Sequence, residues 1–476
     1  MSALVSEKKV IEGEADHGSG TTRSGNQKPE VDVFVDADDH QIRYKTLSWQ
    51  FVGILMIAET VSNGMLSLPQ AVAVVGLVPS IILTVFLGMF GLFTAKLLID
   101  FKLNHPNVHN MGDAGYIMFG PVGREILSAG TVIFAICATG SELLTGQQAL
   151  SVLSNQGLCT VDFVVIISAA TFIFALPRTL HGLNFFAFAS CASITLAGVL
   201  AMIGAGRNPT PGRVIDVTVK SSFFEAFLAI TGPVFAYAGH FMFFILISEM
   251  RHPEEAMKSA WMLQGFSTIF YVIFSTVIYV YIGSTVQSPA LLSLPPVWSK
   301  ITFGIALLSF LMQVSTGALC SHTAAKLVFV RFFRHSRHVY THTFLGWSVW
   351  AFLCFIMTAT SCLLAIAIPV FSDLVGITAA LFASWYTYGL AGFFWLHDER
   401  YLRGGLGRRK GLLVIAILTI IAGGFMCVAG TYVSVKASLS LQCFDHLVSL
   451  VAEANCALQL IVDAYKSGTV GKPFTC

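Results

Sequence analysis

The chain has 476 residues, of which 55% are hydrophobic and only 11% are charged, and its formal net charge is +2. Soluble domains carry about 25% charged residues, so this composition indicates a protein embedded in the lipid bilayer. There is no stripe of lysine and arginine, which argues against nucleic acid as a partner. The ten cysteines form no C-x-x-C pair and the histidines have no zinc-like spacing, so neither metal nor redox chemistry is expected, and no cofactor is predicted.

The distribution of apolar residues predicts three segments. Residues 1–46 are polar and lack an apolar core, so they are predicted to be a disordered cytosolic tail. Residues 47–433 carry the long apolar runs and are predicted to be the transmembrane domain. Residues 434–476 are predicted to be an extracellular segment. That segment is either an amphipathic helix lying on the membrane or a twelfth span interrupted by charged residues.

Eleven runs within the transmembrane domain are long enough to span a bilayer, which takes about 20 apolar residues. They are residues 48–69, 75–100, 125–150, 161–178, 184–205, 224–247, 259–285, 301–330, 343–368, 372–396 and 411–433. Lysine and arginine concentrate on the cytosolic side of membrane proteins. With the amino terminus inside, they number 20 in the inner segments and 7 in the outer ones. The amino terminus is therefore predicted to be cytosolic and the carboxyl terminus extracellular.

Two of these runs are interrupted at matching places, ETVSNGMLSLPQ at 59–70 in the first and TGPVFAYAGHFMFF at 231–244 in the sixth. In the sixth, Gly232 and Pro233 are expected to disrupt the helix, and Gly239 is a second weak point. Breaks that open two halves of opposite topology are typical of transporters built on inverted repeats. Either break alone is equally well explained as a packing kink. Together they predict an all-α protein with a 5+5 inverted repeat, broken first and sixth helices and an eleventh span.

Such breaks supply the two poles that a zwitterionic amino acid needs in a dry site. Freed amides at the start of a half-helix face a carboxylate, and freed carbonyls at its end face an ammonium group. Gly64 tolerates unusual dihedrals, and Ser62 and Asn63 are expected to cap the following half-helix. Phe235 and Tyr237 are expected to wall a side-chain pocket. The predicted substrate-binding residues are Thr60, Ser62, Asn63, Gly64, Phe235, Ala236, Tyr237 and Gly239.

Three titratable side chains inside the spans are candidates for binding a coupling ion. Glu59 lies one turn before Asn63 on the same helix face, and Glu142 lies midway along the third span. A carboxylate near the bilayer centre costs about 2.5–3.5 kcal/mol on insertion scales, so each is a functional candidate. The alternative is a structural acid bonded to a neighbouring span. His240 titrates in a suitable range, the alternative being an imidazole that packs helices together. Glu59 is preferred because it adjoins the first break.

Two strings resemble the amino acid/auxin permease family, and within it the fungal neutral amino-acid permeases of the methyltryptophan-resistance type. NGMLSLPQAVAVVG resembles that family's Gly-rich first helix ending in Leu-Pro. AYAGHFMFFILISEMRHPEEAMKSAW resembles its aromatic-Gly-His patch followed by an acidic-Met-basic-x-Pro segment. The likeness covers roughly residues 45 to 430. It implies an eleven-span transporter of the leucine-transporter-like fold that imports amino acids, usually with protons.

The implied fold places the eighth span against the first, where a coupling ion or the substrate amine is often held. The eighth run contains QVSTGALCSHTAAK, so Ser315 and Thr316 are further coupling-ion candidates. The alternative is that these hydroxyls bond only to their own helix.

The leading hypothesis is that residues 47–433 form a secondary active transporter and not an enzyme. It would import neutral aliphatic or aromatic amino acids across the plasma membrane with protons, by alternating access. Neutral substrates are expected because neither break contains Arg, Lys or Asp, so a charged side chain would be buried without a partner. The alternatives are sodium coupling, a vacuolar location, and an amino-acid-sensing receptor of the same fold. A membrane-embedded enzyme is set aside, since the spans contain no cluster of catalytic His, Asp or Glu residues.

Overall fold

The computed structural model describes residues 45–178, 184–312, 317–333, 336–339, 341–368, 370–402 and 409–438. Fourteen α-helices lie within them. Their bounds are α1 Trp49–Val75, α2 Leu77–Asn104, α3 Met111–Leu153, α4 Thr160–Ala175, α5 Asn184–Arg207, α6 Phe223–Ala236, α7 Phe243–Ser248, α8 Ala256–Ile282, α9 Pro296–Met312, α10 Gly317–Phe333, α11 Phe344–Ala367, α12 Phe371–Thr378, α13 Leu390–Tyr401 and α14 Lys410–Ser438. A π-helical stretch, Ala379–Gly389, joins α12 to α13. Residues 1–44 of the predicted tail and most of the predicted extracellular segment lie outside the described residues.

Nine helical stretches in the described part of the chain are long and apolar enough to cross a membrane. A tenth span is the shorter apolar helix α4, and an eleventh consists of α9 and α10, on either side of residues 313–316. Each predicted apolar run corresponds to one of these spans. The expected all-α architecture of about eleven spans is therefore confirmed.

Backbone contacts show that the first and sixth spans run in opposite directions. Leu47, just before α1, forms an isolated parallel bridge with Met250, just after α7. At the other end, the amide of Leu77 donates to the carbonyl of Asp216, which precedes α6, at 3.1 Å. The start of α1 therefore meets the end of the sixth span. We call this side of the protein the tail face and the opposite side the far face.

The first helix is the centre of the bundle. Of its membrane-spanning window, 94% is buried, compared with 17% for α14. α1 packs against α5, α6 and α8, whereas α14 contacts mainly the stretch from α12 to α13. A site on α1 is therefore enclosed by other helices, and α14 is a peripheral addition, as expected for an appended eleventh span.

The third helix starts earlier than its apolar run because it is two helices joined at a kink. Gly120 has a φ of +69° and Pro121 follows it. Glycine adopts this left-handed backbone without strain, and proline readily begins a helix because it has no N–H to leave unpaired. The shorter first part lies at the tail face, and the second part is the span.

The sixth span is interrupted as expected. α6 ends at Ala236, residues 237–239 are not helical, and a 3₁₀ turn over His240–Met242 leads into α7. The interruption lies at the second predicted weak point, Gly239. The prediction that Gly232 and Pro233 disrupt the helix was wrong, since Pro233 lies inside α6.

The prediction that the first span is also broken was wrong. Helix α1 is continuous through Gly64 and contains Pro69 in its interior. The hydroxyl of Thr60 donates to the carbonyl of Met56, and that of Ser67 donates to the carbonyl of Gly64 at 3.2 Å. Hydroxyls that bond to their own helix compensate backbone groups that Gly and Pro weaken. Ser62 and Asn63 accordingly cap no half-helix.

Candidate functional site

A small cavity lies where α1, α3, the interrupted sixth span and α10 meet. Its volume is about 20 Å³, which is less than an amino acid occupies. Two carboxyl groups, an amide, a hydroxyl and a thiol line it together with aromatic rings and alanines. These residues are Glu59, Thr60, Asn63, Phe134, Ala138, Glu142, Phe235, Ala238, Phe241 and Cys320. None of these described lining residues is cationic. The cavity brings together five of the predicted residues, from three different spans.

Glu59 has one carboxylate oxygen that is buried and lacks a hydrogen-bond partner among the described residues. The Cys320 thiol donates to its Oε1 at 2.7 Å, and Oε2 has no hydrogen-bond partner among the described residues. The residue is only 9% exposed. Buried polar atoms are nearly always paired in folded proteins, so this exception makes Glu59 a candidate functional group. Glu142 of α3 lines the same cavity. The sequence did not predict that the two acids meet, because they lie on separate helices.

The side chain of Asn63 joins α1 to α3. Its Nδ2 donates to Ser141 Oγ at 3.0 Å, and its Oδ1 accepts from Thr145 Oγ1 at 3.0 Å. Sequence reasoning overlooked both hydroxyls, although their i, i+4 spacing on either side of Glu142 places them on one helix face. Asn63 therefore fixes the position of Glu59 relative to the third span.

Tyr271 of α8 connects the first span to the break in the sixth, and sequence reasoning also missed it. Its hydroxyl lies 2.8 Å from the carbonyl oxygen of Thr60 and 2.8 Å from that of Ala236, the last residue of α6. Its ring packs edge-on against Tyr237, with centroids 5.3 Å apart. One hydroxyl therefore serves carbonyls of both helices that line the cavity. No signal in α8 indicated this role.

Two of the glycines that were predicted to bind substrate allow α1 to approach the sixth span. A Cβ on Gly64 would lie 2.6 Å from Tyr271 Oη and 2.9 Å from Ala236 Cα. A Cβ on Gly239 would lie 3.0 Å from the Thr60 side chain. Gly64 thus contributes close packing rather than the unwound backbone expected from the sequence.

Other predicted residues lie away from the cavity. The Tyr237 hydroxyl donates to the carbonyl of Thr84 in α2 at 3.0 Å, so its ring does not wall the cavity. His240 Nε2 lies 2.8 Å from the carbonyl oxygen of Gly91, also in α2. Ser62 is buried on α1 but does not line the cavity. Ser315 and Thr316 lie outside the described residues.

A second, larger cavity opens towards the far face and has a volume of about 420 Å³. It lies between the far-face ends of α1 and α6, the start of α12 and the segment before α6. Its polar and charged lining residues are Ser67, Gln70, Lys220, Ser221, Glu225, Thr231, Ser372 and Asp373. Its size suits a small-molecule ligand.

Polar contacts join neighbouring spans at the tail face. Glu249, just after α7, forms an ion pair with Lys326 of α10, and the two side chains are 1% and 4% exposed. The hydroxyl of Ser259 donates to the carbonyl of Trp49 at the start of α1 at 2.7 Å. Among the described residues, the larger cavity opens at the far face, and these contacts join α7 to α10 and α1 to α8 at the tail face.

Comparison with solved structures identifies the architecture. The protein resembles the transporter MhsT, solved in complex with L-phenylalanine, with a TM-score of 0.55 and 13% identity over 82% of this chain and 100% of that one. It also resembles a Na⁺-coupled sialic acid symporter, with a TM-score of 0.54 and 13% identity over 85% of this chain and 93% of that one. These similarities establish the leucine-transporter-like fold.

Sequence comparison identifies the family. The chain is 29% identical to the N amino acid transport system protein of Neurospora crassa, over 94% of this chain and 92% of that protein. It is 24% identical to vacuolar amino acid transporter 4 of Saccharomyces cerevisiae, over 52% of this chain and 36% of that protein. Residues 45–436 match the family described as "transmembrane amino acid transporter protein". The chain with this fold, cavity and interrupted sixth span belongs to that family of amino acid transporters.

Proposed function

We propose that this amino acid transporter is a secondary active importer of neutral aliphatic or aromatic amino acids, driven by protons. The observation that carries the proposal is the buried carboxyl group of Glu59, which has one thiol donor and an unpaired oxygen beside the sixth-span break. A group that binds a proton on one side and releases it on the other must be buried, titratable and adjacent to the moving parts. Glu59 meets these three requirements.

Neutral substrates follow from the chemistry of the lining. Phe134, Phe235 and Phe241 present rings to the cavity, and no described lining residue is cationic. An acidic substrate side chain would be buried there without a partner. A basic side chain would compete for the carboxyl groups that the proposal assigns to the proton.

Direction and location are part of the same proposal. With the amino terminus in the cytosol, the tail face is cytosolic and the 420 Å³ cavity faces the outside. Substrate would enter this cavity, reach the small one when α1 and the sixth span separate, and leave through the tail face. The plasma membrane is the proposed location, and the vacuolar membrane is the alternative.

Uptake by the purified protein in proteoliposomes tests the proposal. A panel of labelled amino acids is offered with and without an imposed pH difference, and with and without sodium. We expect leucine or phenylalanine to accumulate in response to an inwardly directed proton gradient without sodium. Better uptake of lysine or glutamate would contradict the substrate class. A requirement for sodium would contradict proton coupling, and binding without accumulation would instead support a receptor.

Glu59→Gln is the sharpest variant for the coupling step. The variant should still exchange substrate down its gradient but should lose its response to an imposed pH difference. Glu125→Gln is the matched control, since Glu125 is exposed and pairs with Arg331 outside the cavity. Glu142→Gln separates the two cavity acids. If Glu59→Gln still concentrates substrate in proportion to the pH difference while Glu142→Gln does not, the proton binds at Glu142.

A further inference from the structure

A second cluster of polar side chains lies at the tail face, away from both cavities. His105 directly follows the last residue of α2, and His397 and Asp398 lie near the end of α13. One nitrogen from each imidazole and one carboxylate oxygen lie within 4.8 Å of one another. None of the three residues lines either cavity. Amino acid transport through the bundle therefore leaves this cluster without a role.

We propose that His105, His397 and Asp398 form a binding site for a divalent transition cation of the zinc class. Zinc binds imidazole nitrogen and carboxylate oxygen at about 2.0–2.2 Å in a tetrahedron, which places ligand atoms about 3.3–3.5 Å apart. His105 Nε2 lies 2.8 Å from Asp398 Oδ1, and His397 Nδ1 lies 3.4 Å from the same oxygen. Small side-chain rotations are therefore enough to surround an ion.

Neighbouring groups orient these three side chains. Asn104 Nδ2 donates to Asp398 Oδ2 at 2.6 Å, which leaves Oδ1 directed at the imidazoles. The ring of Phe101 packs against His105, with centroids 4.5 Å apart, and Tyr401 packs against His397 at 4.8 Å. Metal sites depend on such outer groups to hold the ligands in position. The cluster is thus preorganised by residues of the same two helices.

The surroundings favour zinc over magnesium or calcium. Two imidazoles and one carboxylate are ligands for transition metals, whereas Mg²⁺ and Ca²⁺ require oxygen ligands in larger number. The two imidazole side chains are each 18% exposed and that of Asp398 is 7% exposed. Water can therefore reach the site and supply the fourth ligand of a tetrahedral ion. An ion bound there joins the second span to the tenth at the tail face.

Thermal unfolding of the full-length protein, purified without a polyhistidine tag and stripped of metal with a chelator, tests this site. Zn²⁺ should raise the unfolding temperature in a saturable manner with one ion per chain, whereas Mg²⁺ should not. Co²⁺ bound at the site should give visible absorption bands that Zn²⁺ abolishes. Both measurements are independent of transport activity.

Substitutions locate the ion. His397→Ala should weaken Zn²⁺ binding at least tenfold, and Asn104→Leu should weaken it about 10–100-fold, as is typical when a supporting group is removed. His397 makes the longer of the two contacts between imidazole and Asp398, at 3.4 Å against 2.8 Å for His105, so its removal is the milder change to folding. His252→Ala is the control, because His252 also faces an acid, Glu254, at 3.3 Å but is exposed. The proposal is overturned if Zn²⁺ leaves the unaltered protein unchanged, or if His397→Ala binds Zn²⁺ as tightly as His252→Ala does.

Discussion

The first and sixth spans carry the same kinds of helix-weakening residue, yet only the sixth unwinds. Both contain Pro in their interior and Gly near their middle, and in both the proline remains within helix. The difference lies in the neighbours. At the sixth-span break, the side chains of Tyr237 and His240 bond to carbonyls of α2. In α1 the hydroxyls bond within the same helix.

The polar side chains at the sixth-span break are therefore held by α2, whereas the hydroxyls of Thr60 and Ser67 in α1 bond to their own helix. A buried backbone group without a partner costs about 1–3 kcal/mol, so unwinding requires donors and acceptors already in place. At the break, the amides of Ala238 and Gly239 donate to the carbonyls of Phe235 and Tyr237, and the Tyr271 hydroxyl reaches the carbonyl of Ala236. The substitutions below change these contacts one at a time, beginning with the largest expected effect.

Gly64→Val should abolish uptake while leaving the protein in the membrane. The new side chain would have to occupy space within 2.9 Å of the Ala236 backbone, which cannot move aside without displacing the sixth-span break. Labelled amino acid uptake is measured together with the amount of protein in the membrane. Gly265→Val in α8 is the control, because a Cβ there meets no atom within 4 Å. Near-normal uptake by Gly64→Val would show that close approach of the two spans is not required.

Tyr271→Phe should lower uptake about tenfold, which corresponds to a free-energy change of about 1.4 kcal/mol. The substitution keeps the ring but removes the hydroxyl donor that the carbonyls of Thr60 and Ala236 share. Initial uptake rates and thermal unfolding are both measured. Tyr279→Phe in the same helix is the control, since its hydroxyl accepts from the amide of Asp216 near the far face. Equal transport defects in the two variants would mean that Tyr271 acts through general stability and not through the break.

His240→Leu should reduce uptake only a few-fold and leave its dependence on the pH difference unchanged. The substitution removes one link between the break and the Gly91 carbonyl of α2, but the imidazole does not line the cavity. His240→Gln, which keeps a donor, should restore most of the rate. Loss of the pH response in His240→Leu but not in Glu59→Gln would make the histidine the coupling group.

The sequence predicts much of this fold because hydrocarbon thickness sets the length of an apolar run. That constraint gives the number of spans, their order and their opposite topology. The start of α3 was not predicted, because its first part lies before the apolar run and is joined through Gly120 and Pro121. The broken first helix was wrongly predicted because Gly64 and Pro69 are locally indistinguishable from residues of a real break.

The site was predictable only one residue at a time. Glu59 and Glu142 could be predicted because burying an acid in the membrane costs free energy. Their proximity to Cys320 depends on how three separate helices pack, which the sequence does not give. Tyr271 was missed because a tyrosine in an apolar run is ordinary until its hydroxyl finds carbonyls on two other helices. Contacts between distant spans leave no periodic pattern in one sequence.

The short bridge at the tail face has a mechanical consequence. The amide of Leu47 donates to the carbonyl of Glu249 at 3.0 Å, and the amide of Arg251 donates to the carbonyl of Leu47 at 2.9 Å. These two main-chain bonds clasp the entrance of the first span to the exit of the sixth. Neither end can swing outward alone while the clasp holds, so a force on one is transmitted to the other half of the repeat. Because both bonds are made by the main chain, no side-chain substitution at Leu47, Glu249 or Arg251 removes their donors and acceptors, other than proline.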